Sequence, residues 1–324
     1  MRPKLVCVDE TFVNGPSLHH WLLFSKYFDV SNYDPDVKYD GTHTFLYRTD
    51  DAHKKVAKHK DSKCIADALW ECDFFCNTDF NEMTIGLVNN GHYSNHRIIR
   101  VPKWFWFEEH FSQHDKKTLV KDFPFEHRKS KLFLLQMGDA KPPRVALYER
   151  LQKEKLLDNA LYSFLEFGTG LEGPVTEYDP VNPPFPQRNY MSKWYNDTCF
   201  TTICETNIVN DGIFITEKTM KPIMYGHHFL MLGDTGSLEV LKSWGFKTFS
   251  NVFDESYDSM TSLDDKIELV VTQIKNYNCE YTTETLDRIR FNYDRFWDRN
   301  LVEKLMVKEL INPILSFITN RIDV

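Results

Sequence analysis

The sequence predicts an α/β protein made of two Rossmann-like domains that face each other across a cleft. Short apolar runs alternate with helical patterns in both halves, and this alternation is typical of parallel sheets. A polar, charged stretch at residues 115–131 separates the halves. We therefore predict a first domain at residues 1–125, a second at 126–300, and a C-terminal helix at 301–324.

Short apolar runs predict the strands of the two sheets. In the first half they occupy residues 4–8, 43–48, 73–77 and 96–101, with helices at 18–28 and from 65 onwards. In the second half they occupy residues 132–136, 200–204, 229–232 and 246–249. Helical patterns there cover 143–156, 217–224, 236–244, 263–277 and 286–318, with a kink expected at Pro313. Because ligands bind beyond the carboxyl ends of parallel strands, we expect the functional site in the cleft.

The charge and the cysteines limit the partners and the compartment. A net charge of −8 disfavours nucleic acid as a partner, although a small basic pocket remains compatible with it. The seven cysteines are odd in number and lie largely in apolar contexts, so we expect buried free thiols in a reducing compartment. No second pair follows Cys72 and Cys76 at a zinc-binding spacing, and no metal site is predicted.

The amino terminus and the hydropathy pattern favour a soluble protein. The first ten residues hold too short an apolar run for a signal peptide. No window reaches the roughly 18 apolar residues of a membrane span. We therefore expect a cytoplasmic protein, located in the host cytoplasm if the source is a virus.

The tetrapeptide I-T-E-K at residues 215–218 has the pattern of a phosphate-binding helix start. Thr216 is a suitable N-cap, which places Glu217 and Lys218 in the first helical turn. Unpaired N–H groups and the positive dipole end at that turn suit phosphate, and Lys218 adds a charge. The alternative is a capped surface helix with an incidental Glu–Lys pair.

The residues around this box resemble the α-1,3-fucosyltransferase family. The family pattern is a strand, E-N-S, a short loop, Y-I-T-E-K, a helix with a glycine break and another apolar strand. This chain has C-E-T-N-I-V-N-D-G-I-F-I-T-E-K, which includes Glu205 and Asn207, and then Gly226 and an apolar strand. Its loop between the two acidic residues is about two residues longer than is usual in the family.

The resemblance extends to a segment further upstream. Residues 131–158 are similar to the family's strand, polar loop, arginine and helix, with Arg144 as the arginine. Without the family, Arg144 is equally compatible with a surface helix. The likeness covers roughly residues 131–260, which is about 40% of the chain.

The resemblance implies a GT-B fold, with a nucleotide-sugar donor held by the C-terminal domain and a C-terminal helix that crosses back to the first domain. It implies inversion at the anomeric carbon and no obligatory metal or other cofactor, and it favours a GDP-sugar. Arg144 and Lys218 would neutralise the diphosphate and Glu217 would bind the ribose. Glu205 and Asn207 would lie near the sugar or the ribose.

The acceptor and its base are less closely defined. An inverting transferase needs a base that deprotonates the acceptor hydroxyl. Asp50, after the strand at 43–48, lies where the family has its candidate glutamate, and Asp9 and Glu10 after the first strand compete with it. Each of the three is also compatible with an ordinary loop carboxylate.

Two classes of function remain open from the sequence. The first is a glycosyltransferase that moves fucose or a similar sugar to a glycan, a glycoconjugate or another hydroxyl acceptor, with a nucleic-acid acceptor disfavoured by net charge. The second is a non-catalytic sugar-nucleotide-fold module. The absence of a G-x-G-x-x-G motif after a strand argues against an oxidoreductase.

Overall fold

The computed structural model describes most of the chain as two compact units. The described residues are 2–8, 24–47, 50–56, 58–59, 62–68, 82–86, 98–100, 130–138, 140–164, 192–206, 208, 213 and 215–319. One unit combines Met1–Gln113 with Arg299–Val324, and the other is His114–Asp298. The predicted strand at 73–77 lies outside the described residues.

The regular elements alternate along the chain, as the sequence pattern predicts. The strands are β1 Lys4–Cys7, β2 Asp29–Asn32, β3 His43–Tyr47, β4 Lys63–Ala68, β5 Glu82–Gly86, β6 Ile98–Arg100, β7 Lys131–Met137, β8 Ala160–Phe164, β9 Thr198–Cys204 and β10 Phe229–Leu232. The α-helices are α1 Asp50–Val56, α2 Pro142–Lys153, α3 Ser192–Asp197, α4 Glu217–Met224, α5 Ser237–Ser243, α6 Leu263–Asn276, α7 Thr283–Trp297, α8 Arg299–Met306 and α9 Asn312–Thr319.

The first unit contains a six-stranded parallel sheet with the order β2-β1-β3-β4-β5-β6. Leu5 of β1 lies opposite Val30 of β2 on one side and Thr44 of β3 on the other. Val6 and Phe45 contribute to a buried apolar cluster on this sheet. The direction of travel through the sheet reverses between β1 and β3, because β2 lies on one side of β1 and the later strands lie on the other.

The C-terminal helices return to this first sheet, as predicted. The Lys63 amine at the start of β4 donates hydrogen bonds to the carbonyls of Phe317 and Ile318, at 2.5 and 2.9 Å. Instead of a simple kink at Pro313, a π-helical turn at Val307–Ile311 joins α8 to α9. Proline has no N–H, so Pro313 interrupts the α-helical hydrogen-bond ladder, and a π-helical turn accommodates such an interruption.

The second unit contains a four-stranded parallel sheet with the order β10-β9-β7-β8. Every residue of β9 is buried, which is expected of a parallel strand covered on both faces. The chain leaves β7 through α2 towards β8, but it leaves β9 through α4 towards β10, in the opposite direction. The space between the carboxyl ends of β7 and β9 is therefore the switch point of this sheet, where open α/β folds bind ligands.

Two sequence predictions of secondary structure are wrong. Residues 65–69 do not begin a helix, because residues 63–68 form β4. Residues 246–249 are irregular rather than a strand, although Phe246 and Phe249 are buried. In both segments a short apolar run signals burial without specifying which backbone partner satisfies the main-chain hydrogen bonds.

The expectation that all cysteines are free thiols is also wrong. Cys199 at the start of β9 and Cys279 after α6 form a disulfide, with Cα atoms 5.6 Å apart. Their separation of 80 residues leaves no local sequence signature of the pairing. Cys7, Cys64 and Cys204 are thiols.

The described helices can be compared with the requirements of a membrane span. Across the described parts of the chain, none of the helices combines the length and the apolar character that crossing a bilayer requires.

Candidate functional site

The start of α4 is built as the sequence predicts. Thr216 is the N-cap, with an extended backbone, and its side chain accepts a hydrogen bond from the Lys218 N–H. Glu217 and Lys218 occupy the first turn. The helix ends at Met224, and Gly226 follows with φ of 66°, a left-handed conformation that glycine adopts without steric cost.

Glu205 fixes this helix start against the carboxyl end of β9. Its fully buried carboxylate accepts hydrogen bonds from the Thr216 N–H at 2.9 Å, the Thr216 hydroxyl at 2.5 Å and the Thr219 hydroxyl at 2.6 Å. Its own N–H donates to the carbonyl of Leu232 in β10 at 3.0 Å. Glu205 therefore positions α4, whereas its contact with a ligand stays a prediction.

Arg144 and Lys218 converge on the residue that follows Glu205. The Arg144 guanidinium donates to the Thr206 hydroxyl at 2.9 Å, and the Lys218 amine donates to the same oxygen at 3.2 Å. Because one oxygen accepts both bonds, the two nitrogens lie no more than about 6 Å apart. Two cations from different helices, α2 and α4, thus meet at the switch point between β7 and β9.

The backbone at the end of β7 leaves room beside these cations. A Cβ atom built on Gly138, the residue after β7, would meet a guanidinium nitrogen of Arg144 only at 4.0 Å. Arg144 itself is 2% exposed, so its charge is largely removed from water. A guanidinium forms strong paired hydrogen bonds with carboxylates and phosphates, so this position is chemically suited to an anion.

Glu217 partly balances the positive charge. Its carboxylate accepts from the Lys218 amine at 2.8 Å, and the side chains of Glu217 and Lys218 are 14% and 17% exposed. The described cluster therefore combines an arginine and a lysine with a neutral hydroxyl and one partly accessible carboxylate. This arrangement can bind a polyanion through the cations and a diol through the carboxylate.

An aromatic residue of α3 packs against the residue that follows α4. The Tyr195 ring stacks on Tyr225, with ring centroids 4.4 Å apart, and its hydroxyl donates to the Gln136 side chain of β7 at 3.3 Å. Burial, followed by the negative charge of Glu217, raises the pKa of the Tyr195 phenol. Tyr195 is therefore a neutral residue that connects β7 to the end of α4.

Several predicted residues cannot be placed in this geometry. Asn207, Asp9 and Glu10 lie outside the described residues. Asp50 begins α1, directly after the gap that follows β3. Within the parts of the chain that the structure describes, no group of three His, Cys, Asp or Glu side chains could hold a metal ion.

Sequence reasoning missed three residues of this region. Thr206 follows a buried strand at its carboxyl end, and that position was a usable signal. Lys221 lies four residues after Glu217 on α4, a spacing that places both side chains on one helix face. Tyr195 had no comparable signal, because its contact with α4 depends on how α3 packs.

Comparison with known proteins gives distant structural likenesses. No protein-family model matches the sequence, and no curated protein sequence matches it. A solved α1,3-fucosyltransferase with GDP-fucose aligns over 92% of this chain and 91% of its own, at 9% identity and a TM-score of 0.46. A mutant of S. aureus TarM, solved with fondaparinux, α-GlcNAc-glycerol and UDP, aligns over 88% of this chain and 57% of its own, at 8% identity and a TM-score of 0.38.

Proposed function

We propose that this chain is a glycosyltransferase of the GT-B type, which transfers fucose or a similar sugar from a nucleotide diphosphate to a hydroxyl acceptor with inversion. The observation that carries the proposal is the convergence of Arg144 and Lys218 on Thr206 at the switch point of the second sheet. A diphosphate is the common ligand that needs two adjacent cations at such a position.

The two cations would act on the leaving group. Negative charge grows on the departing phosphate oxygen as the glycosidic bond breaks, and positive groups already held in place stabilise that charge. Arg144 is held by its burial and by Thr206, and Lys218 is held by Thr206 and Glu217. Little rearrangement is then needed when the bond breaks.

The remaining residues of the helix start would orient the donor. Glu217 is partly accessible and would accept hydrogen bonds from the ribose diol. Thr216 and Glu205 would keep the first turn of α4 in place rather than contact the reacting atoms. Asn207 would contact the sugar or the ribose. A GDP-sugar is the favoured donor, and a glycan or glycoconjugate is the favoured acceptor.

The base would come from the first unit. β1 and β3 flank the switch point of its sheet, and the Val8 N–H donates to the Leu46 carbonyl at 3.0 Å where the two strands end. Asp9 and Glu10 follow β1 in sequence, and Asp50 follows β3. We propose Asp50 as the base that takes the proton of the acceptor hydroxyl, with Asp9 and Glu10 as the competing candidates.

The decisive experiment compares donor binding by the wild type and by Lys218→Ala. A thermal-shift screen with GDP-, UDP-, CMP- and dTDP-sugars identifies the nucleotide, because a ligand that binds the folded state raises its Tm. Lys218→Ala should weaken binding of that nucleotide sugar about 10- to 100-fold, since a charge-assisted phosphate contact is lost. Lys275→Ala is the control, because Lys275 of α6 is an exposed lysine that pairs with Glu154, the residue after α2.

Two outcomes would count against the proposal. If no nucleotide sugar stabilises the wild type, or if Lys218→Ala binds as tightly as the control, the donor site is wrongly assigned. If a nucleotide sugar does bind, donor hydrolysis and transfer assays separate a transferase from a binding module. Asp50→Asn should lower turnover and leave donor affinity unchanged, and a fully active variant would return the role of base to Asp9 or Glu10.

A further inference from the structure

The polar face of α4 carries a second lysine that the proposed chemistry does not use. Successive residues of an α-helix are rotated by about 100°, so positions 217, 218 and 221 share one face. The other face is buried against the sheet and contains Thr219, Met220, Pro222, Ile223 and Met224. Lys221 therefore lies one turn beyond Glu217, on the same side as the amine of Lys218.

Lys221 is partly buried, and among the described residues its amine has no hydrogen-bond or ion-pair partner. Burial lowers the pKa of this amine to about 8, and the positive charge of Lys218 lowers it further while Glu217 opposes the shift. Among the described residues no carboxylate pairs directly with this amine, and a directly paired negative charge is what would keep it protonated.

The ionisable groups of the neighbouring elements do not supply that negative charge. Tyr195 on α3 is neutral, because burial raises the pKa of its phenol. Burial also raises the pKa of Cys204, at the end of β9, to about 12, so its thiol is neutral. The Glu205 carboxylate is occupied by Thr216 and Thr219 on the buried side of the helix.

Helix α7 also packs on α4, where the Trp297 indole donates to the Met224 carbonyl at 3.2 Å. Two of its arginines are bound elsewhere, since Arg288 donates to the Thr248 carbonyl and Arg295 to that of Trp244. The other charged residues of α7 are Glu284, Asp287, Arg290 and Asp294. Among the described groups, Glu217 and Lys218 are the charges that act on Lys221.

We propose that Lys221 is a third cation of the donor site and that binding of a nucleotide sugar draws a proton from solvent onto its amine. This inference rests on the proposed function, because it requires a diphosphate near Lys218. The phosphate oxygens supply the missing negative charge, so the protonated amine is favoured in the complex. Donor binding then weakens as the pH rises above about 8, because the free protein has lost the proton that the complex holds.

The test is isothermal titration calorimetry of the full chain with GDP-fucose and with UDP-glucose, in buffers of different ionisation enthalpy. The phosphates of a nucleotide sugar do not titrate between pH 6 and 9, unlike a terminal phosphate with a pKa of about 6. Any proton that is taken up on binding therefore binds to a group of the protein and not to the ligand. We expect uptake of about half a proton per ligand at pH 8 and almost none at pH 6.5, where the amine is already charged.

Two variants assign the proton to Lys221. Lys221→Met keeps the length of the side chain without its charge, and it should weaken binding about 10- to 100-fold and abolish uptake. Lys221→Arg keeps a permanent charge, so it should bind within about threefold of the wild type, again without uptake. Lys275→Met should show wild-type affinity and uptake, and circular dichroism checks the fold of each variant.

The outcomes separate this inference from the proposed function. If neither the two ligands nor any other nucleotide sugar binds the wild type, the proposed function fails and this inference fails with it. If the wild type binds without proton uptake at pH 8, or if uptake persists in Lys221→Met, Lys221 is not the third cation. The donor site would then stand on Arg144 and Lys218.

Discussion

At the scale of single residues, the site depends on how buried charges are satisfied. Glu205 is fully buried and is satisfied by three donors from the first turn of α4. Arg144 and Lys218 both donate to the Thr206 hydroxyl, and Lys218 also pairs with the Glu217 carboxylate. The Glu205 carboxylate therefore serves the structure, whereas the two cations are the groups that we propose for the ligand.

Glu205→Gln tests the structural half of this distinction. The amide removes the negative charge and one acceptor oxygen, so the charge-assisted hydrogen bonds from Thr216 and Thr219 are weakened inside the protein. We expect the free energy of unfolding to fall by roughly 2 kcal/mol, measured by urea denaturation. Glu239→Gln, at an exposed carboxylate, should change it by less than about 0.5 kcal/mol. Equal effects of the two substitutions would contradict the role of Glu205 in holding the start of α4 in place.

At the scale of elements, an aromatic cluster joins β2, β3 and the segment before β4 in the first unit. The His59 ring stacks on Phe45, with centroids 4.9 Å apart, and meets the edges of Tyr33 and Tyr39 at 6.3 and 5.5 Å. Burial, and then the nearby Lys58, lowers the pKa of His59. The folded protein therefore favours the neutral imidazole.

The lowered pKa predicts an acid-sensitive first unit. Below the unfolded pKa of about 6.5, the unfolded chain binds the His59 proton more readily than the folded one, so stability falls as the pH decreases. His59→Phe retains a ring and removes the titration. The decrease in the urea concentration at the unfolding midpoint between pH 7.5 and pH 5.5 should be smaller in this variant than in the wild type. An unchanged loss would show that His59 does not contribute to it.

At the scale of the whole molecule, a disulfide connects distant parts of the second unit. Cys199 is the second residue of the inner strand β9, and Cys279 lies between α6 and α7. The bond closes a loop of 80 residues, so it restricts the unfolded chain strongly. The strand that it fixes is the one that ends at Glu205 and Thr206.

Replacing both Cys199 and Cys279 with alanine should therefore destabilise the protein by about 2 to 4 kcal/mol, measured by chemical denaturation. A dithiol reductant should lower the Tm of the wild type and leave that of the double variant unchanged. Peptide mapping without reduction should recover the two residues as one linked species. Free thiols at both positions in the oxidised protein would contradict the pairing.

The sequence by itself determined the alternation of strands and helices and the capped start of α4. These features depend on local patterns of apolar residues, capping side chains and turn residues, which neighbours in the chain specify. It also singled out Glu217 and Lys218 at the helix start, while the family resemblance added Arg144 and the return of the C-terminal helix.

Only the tertiary structure decided which of those residues meet. The reversal between β7 and β9 brings Arg144 and Lys218 to one oxygen although 74 positions separate them in the chain. Likewise, packing alone paired Cys199 with Cys279, stacked Tyr195 on Tyr225 and made 63–68 a strand rather than a helix. Contacts between distant segments depend on the order of strands in a sheet, and no local pattern encodes that order.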